Sequence, residues 1–245
     1  MARTKHPRRP RIYFSFRSPY SWLAWHDLTT YHPGVAAALE WRPFWEPDER
    51  SEKLLTDAGG RFVYTPMSRE KHLYMLGDVR RLCQRRGLAM AWPVDRAPRW
   101  ELSHLAYFHA VDHGLGAEFI ERVYRARWQE GRDISDPGTV ADLAAEIGMA
   151  REPVADVADD ESARRRGVAT LLDIDRDSVF GVPFFINRTQ KYWGIDRLDD
   201  FLHSLAETSV MAGETDGGHA RAKPVLPVPA VDAHSSDQGH AGGCG

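Results

Sequence analysis

The chain has 245 residues, 42% of them hydrophobic and 27% charged, with a formal net charge of −3 at pH 7. That length and balance suit a soluble protein with a substantial buried core, and a near-neutral charge is no footprint of nucleic-acid binding. No apolar run approaches the roughly 18 residues of a membrane span, and the basic opening "RTKHPRRPR" leads into a strand without a signal-peptide apolar region, so a cytoplasmic protein is expected. Cys83 and Cys244 are too few for a disulfide framework and neither belongs to a CxxC motif.

Residues 1–11 read as a basic arm, solvated rather than in contact with nucleic acid. "RIYFSF" then shows the period-two pattern of a strand. Pro19 opens a helix to about Tyr31 with Ser18 as its N-cap, the sequence form of a helix starting at the end of a strand. "ALEWRPFW" is a second strand, and "EPDERSEKLLTDAGGRFVY" reads as an irregular connection. A helix is expected from about Pro66 to Arg86, stopped by Gly87, with Cys83 on its buried face beside Leu76, Val79 and Leu82. Helical patterns follow in "ELSHLAYFHAVDH", "GAEFIERVYRARWQE", "DPGTVADLAAEIG" and "ESARRRGVATLLD". "VPFFIN", a turn at Arg188-Thr189-Gln190 and "KYW" restore the β pattern, and "DRLDDFLHSLAE" is a last helix with Asp196 as its N-cap.

The expected fold is therefore α/β, a thioredoxin-like sheet (βαβ…ββα) carrying a helical insertion. Its parts are residues 12–66 and 179–207 of the sheet domain around an insertion at 67–178. From residue 208 to 245 the composition turns to Gly, Pro, Ala, Asp and His without periodicity, which cannot bury enough apolar surface to order itself. His219, His234, His240 and Cys244 in that tail match no standard metal spacing.

Two stretches carry chemistry. In "FSFRSPYSWLAW" Ser18 stands where a strand ends and a helix begins. The unpaired N–H groups and positive dipole end there favour an anion, and a serine hydroxyl adds a donor, although helix capping alone also accounts for Ser18. In "FGVPFFINRTQKYWGIDRL" Val182-Pro183 precedes a β run, and an edge strand beginning at Val182 would offer its backbone to an extended peptide-like ligand. Asp196 and Arg197 at the next helix start suit an amino-acid head group, with N-capping as the alternative for Asp196. His109 and His113, like His26 and His32, have no third ligand and no catalytic Glu in register, so they read as structural or surface histidines.

Together "YFSFRSPYSWLA", "KHLYMLGDVRRLCQRRGL", "EGRDISDPGTVADLAAEIG" and "FGVPFFINRTQKYWGIDRLDDFL" resemble the DsbA-like thioredoxin-fold superfamily over roughly residues 12 to 205. Within it they resemble the branch of 2-hydroxychromene-2-carboxylate isomerases and kappa-class glutathione transferases. The resemblance implies that Ser18 faces the sulfur of bound glutathione, or of another low-molecular-weight thiol, in place of a redox cysteine. It implies that Pro183 is a cis-proline, that Val182 pairs through its backbone with the cysteinyl part of the tripeptide, and that Asp196 and Arg197 contact the γ-glutamyl end. The implied activity is a thiol-dependent isomerase, or secondly a transferase, acting on an electrophilic aromatic or unsaturated small molecule, with a homodimer compatible. Lys71, Tyr74 and Asp78 fall near a pattern of the isomerases, but a helix surface explains their spacing and no catalytic role is assigned to them. The chain departs from the isomerases at "DAGGRFVYTPMSREK", where Arg61 and Tyr64 stand without the asparagine of their asparagine-proline loop. A disulfide oxidoreductase would need a thiolate at the helix start, where this sequence has serines; a thioredoxin-like binding module would need only the groove.

Overall fold

A computed structural model describes residues 9–63, 66–96 and 98–213, with 209–213 by backbone alone. The first strand, β1 (Arg11–Phe14), leads into α1 (Pro19–Tyr31), a short α2 (Pro33–Ala38) and β2 (Glu40–Pro43). Seven helices then precede the next strand: α3 (Glu49–Asp57), α4 (Arg69–Arg85), α5 (Trp100–Asp112), α6 (Gly116–Trp128), α7 (Pro137–Glu146), α8 (Glu152–Ala155) and α9 (Glu161–Arg176). β3 (Phe184–Asn187), β4 (Gln190–Trp193), a 3₁₀ turn (Ile195–Arg197) and α10 (Leu198–Gly213) complete the described chain. Among the described residues no helix is long and apolar enough to cross a membrane.

The sheet order is β2-β1-β3-β4. β1 runs parallel to β2 and antiparallel to β3, with Ile12 opposite both Trp41 and Phe185. Although "RIYFSF" alternates in sequence, all four residues of β1 are buried. The strand is interior and helices cover both of its faces, which removes the polar side an alternating strand would show to water. Ile12 and Phe185 meet Ala24 and Leu28 of α1 and Phe201 of α10. Tyr13, Phe184 and Ile186 join the larger core, where the insertion supplies Leu105, Tyr124, Val140 and Leu171.

Several expectations change. β1 already begins at Arg11, inside the stretch assigned to the arm, because Arg11 is paired and buried. The "irregular" connection contains α3, started by Asp48, whose side chain accepts from the Ser51 N–H. That Asp with Glu49 and Glu52 behind it is a helix-start signal that the Gly59-Gly60 pair and the charge density obscured. α4 starts at Ser68 as N-cap rather than at Pro66. α10 runs to Gly213, beyond the residue 208 at which the tail was placed; Tyr64 and residues 214–245, with the tail histidines and Cys244, lie outside the described residues. β3 is not an edge strand: it begins at Phe184, two residues after Val182, and lies between β1 and β4.

A buried polar cluster binds α9 to the sheet. The Arg11 Nε–H donates to Asp177 at 2.8 Å and the Tyr13 hydroxyl donates to the same carboxylate at 2.7 Å. Arg42 on β2 donates to the Tyr13 oxygen at 3.1 Å and to Asp173 at 3.0 Å, while Lys191 on β4 reaches the Asp177 carbonyl at 2.6 Å. Burial pushes the Asp177 carboxyl up, but hydrogen bonds from Arg11 and Tyr13 and the charges of Arg11 and Arg42 more than reverse that, leaving it below 3.8. Its stabilising contribution is therefore complete above the unfolded value of 3.8 and is lost as pH falls through the lower folded value.

Removing one partner strands the other charge inside. Asp177→Ala is expected to lower the unfolding free energy by about 3–5 kcal/mol in urea denaturation at neutral pH. The difference from wild type should shrink as the pH falls below the ordinary aspartate range.

Candidate functional site

Beyond Phe14 the chain turns through Ser15, Phe16 and Arg17 into Ser18, whose backbone is extended (φ −89°, ψ 118°). The Ser18 N–H donates to the Ser15 carbonyl at 3.1 Å. Its side-chain oxygen accepts from the Ser21 N–H at 3.2 Å, the helix-capping bond, and its hydroxyl points to the Val182 carbonyl at 3.4 Å. Ser21 reaches back: its hydroxyl accepts from the Ser15 N–H at 3.3 Å. Both serines at the cysteine-like positions thus complete the backbone of the strand-to-helix junction, a role in which the cap is worth about 1 kcal/mol.

The rest of this turn is held by the insertion. His104 on α5 is fully buried, and its ring is sandwiched between Phe16 and Trp45 at centroid distances of 5.0 and 5.5 Å. Burial pushes the imidazole down to about 3, helped by the charge of Arg127, so the ring is neutral at any working pH. Its Nε2 accepts from the Phe16 N–H at 3.1 Å, which assigns the proton to Nδ1, 2.5 Å from the Trp100 carbonyl. The Ser15 hydroxyl lies 3.3 Å from Nε2. From α6, the Tyr124 hydroxyl donates to the Ser15 carbonyl and the Trp128 indole N–H to the Phe16 carbonyl, both at 3.2 Å.

Arg17 and Pro19, on either side of Ser18, help line a cavity of about 390 Å³ between α1, α4 and the segment leading to α5. Met67, Met75, Leu76, Trp92 and Trp128 make its apolar wall, and Arg17, His72 and Arg80 bring basic groups to it. Arg127 is buried at its base, holding Asp95 through two bonds of 2.9 and 2.8 Å, with its guanidinium 5.0 Å from the Trp100 ring and 4.9 Å from Trp128. Arg17 lies over the other reach of Trp100 at 5.1 Å and contacts Glu46 at 3.3 Å. Such a cavity suits a flat aromatic or unsaturated molecule bearing a negative group.

Ser18, Val182 and Pro183 are brought together and buried, and the Val182–Pro183 peptide is cis. Asp196 and Arg197 sit in the exposed 3₁₀ turn, which packs against α1. Asp196 does not cap α10; its carboxylate folds back against Gly194, whose φ of +97° only glycine adopts readily. Asp196 lies 3.8 Å from Arg197, which also reaches Asp200 at 3.6 Å. Lys71 and Tyr74 are exposed on α4, while Asp78 accepts from the Tyr20 hydroxyl at 2.9 Å beside the site. Cys83 is buried, and burial pushes its thiol up. His109 meets Asp160 at 3.5 Å, whereas the His113 ring bonds only the carbonyl of His109 on its own helix at 2.8 Å.

Arg17, His104, Arg127 and Trp128 escaped the sequence reading. For His104 a signal existed: "WELSHLAYF" is so apolar on every side that a histidine within it must be buried and bonded.

The DSBA-like thioredoxin domain profile matches residues 11–206. The chain is 26% identical to the 2-hydroxychromene-2-carboxylate isomerase of Sphingobium xenophagum, over 79% of this chain and 95% of that protein. It is 23% identical to glutathione S-transferase kappa 1 of Homo sapiens, over 82% of this chain and 92% of that one. A solved 2-hydroxychromene-2-carboxylate isomerase superposes with a TM-score of 0.67 at 19% identity, covering 85% of this chain and 99% of the other.

Gly194 tests how the 3₁₀ turn is built. With φ +97° and ψ 155°, an alanine there is strained and its Cβ meets the Asp196 carboxylate. Gly194→Ala is expected to cost about 1–3 kcal/mol in chemical denaturation.

Proposed function

The chain belongs to the DSBA-like thioredoxin domain family, and from that premise we propose that it uses glutathione, or another low-molecular-weight thiol, to isomerise an electrophilic aromatic or unsaturated small molecule. Conjugation of the thiol to such a molecule is the second choice. The observation that carries this reading is Ser18: a buried hydroxyl at the start of α1, where the chain has no cysteine, flanked by two residues that open on an aromatic, basic cavity.

The donor set fits a sulfur anion. Helix α1 presents the positive end of its dipole, and Arg17 adds a guanidinium. The Ser18 contact to the Val182 carbonyl, at 3.4 Å, is long for a hydroxyl bond, so the hydrogen can turn toward a ligand at little cost. The main chain at Val182 and the ring of Pro183 would hold the cysteinyl part of the thiol. Asp196 and Arg197, both exposed beside α1, would take an ammonium and a carboxylate of the γ-glutamyl end. Bound there, the thiol supplies the sulfur nucleophile that a serine at this position does not.

The cavity residues have the other half of the task. Trp92 and Trp128 offer flat faces to a ring, and Met67, Met75 and Leu76 keep water from it. Arg17, His72 and Arg80 orient a negative group. The relatives agree with such a substrate, one being an isomerase of a carboxylate and the other a glutathione transferase. Disulfide exchange finds little support, since Cys83 is buried with its thiol pushed up rather than poised as a thiolate. A reduced thiol pool, such as that of a cytoplasm, is the setting this function requires.

Calorimetric titration with glutathione and several other small thiols tests the proposal, followed by turnover of 2-hydroxychromene-2-carboxylate and of an activated aryl halide. Wild type is expected to bind at least one thiol and to lower its pKa. Ser18→Ala should raise the bound thiol's pKa by about one unit, so that its thiolate fraction and its turnover fall about tenfold at pH values below that pKa. A melting curve accounts for the lost cap. Absence of binding for every thiol overturns the proposal; binding without turnover of either electrophile leaves a binding module.

A further inference from the structure

We propose that His104 is a positioning residue for this site: through Nε2 it holds the Phe16 N–H and the Ser15 hydroxyl, and through them it sets the direction in which Ser18 and the positive end of α1 face a thiol. The inference rests on the thiol-dependent reading above.

The linkage is short and directional. The Ser15 hydroxyl, 3.3 Å from Nε2, also accepts from the Arg17 N–H at 3.3 Å, and the Ser15 carbonyl accepts from the Ser18 N–H at 3.1 Å. A shift of Ser15 therefore moves Arg17, which lines the cavity, and Ser18, which caps α1. The ring cannot give way to absorb such a shift, because Phe16 and Trp45 pack against it.

The two ring nitrogens have separate duties. Nδ1–H serves the Trp100 carbonyl, one turn earlier on its own helix, and would do so in any well-packed α5. Nε2 serves only the turn that carries Ser18. A leucine of similar bulk would pack but leave the Phe16 N–H and the Ser15 hydroxyl buried without an acceptor. A neutral imidazole, one donor and one acceptor on opposite sides of a rigid ring, satisfies both neighbours.

This separation makes the role testable. The amide of glutamine reaches about where Nε2 lies, and that of asparagine about where Nδ1 lies. Both His104→Gln and His104→Asn lose the ring packing and are expected to melt lower than wild type by similar amounts. Only His104→Asn loses the contact with the turn. We expect it to raise the pKa of bound glutathione, read from ultraviolet thiolate absorbance, by about one unit, equal to a tenfold smaller thiolate fraction below that pKa. Its kcat should fall about tenfold with KM for glutathione within about twofold, the pattern of an interaction lost from the transition state rather than from binding. His104→Gln should recover most of both losses. Should His104→Asn not fold, Ser15→Ala makes the same comparison with the ring in place, and a raised thiol pKa is again expected. Equal thiol pKa values and equal kcat in the Asn and Gln variants, or an unchanged pKa in Ser15→Ala, overturn the positioning role while wild type still acidifies its thiol. Wild type that leaves the thiol at its free pKa overturns the thiol-dependent reading itself, and this role with it.

Discussion

The end of β1 cannot satisfy its own backbone. Past Phe14 the ladder with β2 and β3 gives out, yet Ser15 and Phe16 remain buried, and unpaired polar groups there would each cost free energy comparable to a lost hydrogen bond. Ser21 takes the Ser15 N–H and Ser18 bonds the Ser15 carbonyl, while His104, Tyr124 and Trp128 supply the remaining partners, from helices that lie between the two halves of the sheet in sequence. The helical insertion is thus more than a lid on a thioredoxin-like sheet. It completes the one turn on which the start of α1, and with it any ligand at Ser18, depends.

The same helices set the electrostatics of the cavity. Arg127, on α6 one residue before Trp128, is almost wholly buried between two indole rings, which a cation tolerates only with a close counter-charge. Asp95 provides it through a bidentate pair. That pairing consumes the charge of Arg127 locally and leaves Arg17, His72 and Arg80 as the basic groups of the cavity. Sheet stability is handled elsewhere, by Asp177 and the arginines of β1 and β2, so acid sensitivity of the fold and chemistry at Ser18 are physically separate.

Local signals were legible wherever a residue acts on its own neighbours. Ser18-Pro19 and Asp136-Pro137 start helices as their capping chemistry requires, and each N-cap accepts the expected backbone N–H. The hairpin of β3 and β4 follows from its turn, and the order of strands and helices suffices for the α/β class. Errors came where the outcome depends on a distant partner. Val182 looks like the start of an edge strand, but the strand begins at Phe184 and runs between β1 and β4. Asp196 has the composition of a cap, yet the positive φ of Gly194 turns the chain into a 3₁₀ turn first.

The order of amino acids was enough to establish the helix start at Ser18, the serines where cysteines would stand, and the family to which the strand-helix pattern belongs, because capping and periodicity act over a few residues. That His104 faces Phe16, 88 positions earlier, was decided by folding. So were the burial of Arg127 against Trp100 and the closing of β3 between two neighbours. Each is a contact between elements far apart in the chain, and a linear spacing carries no record of which buried donor will meet which acceptor.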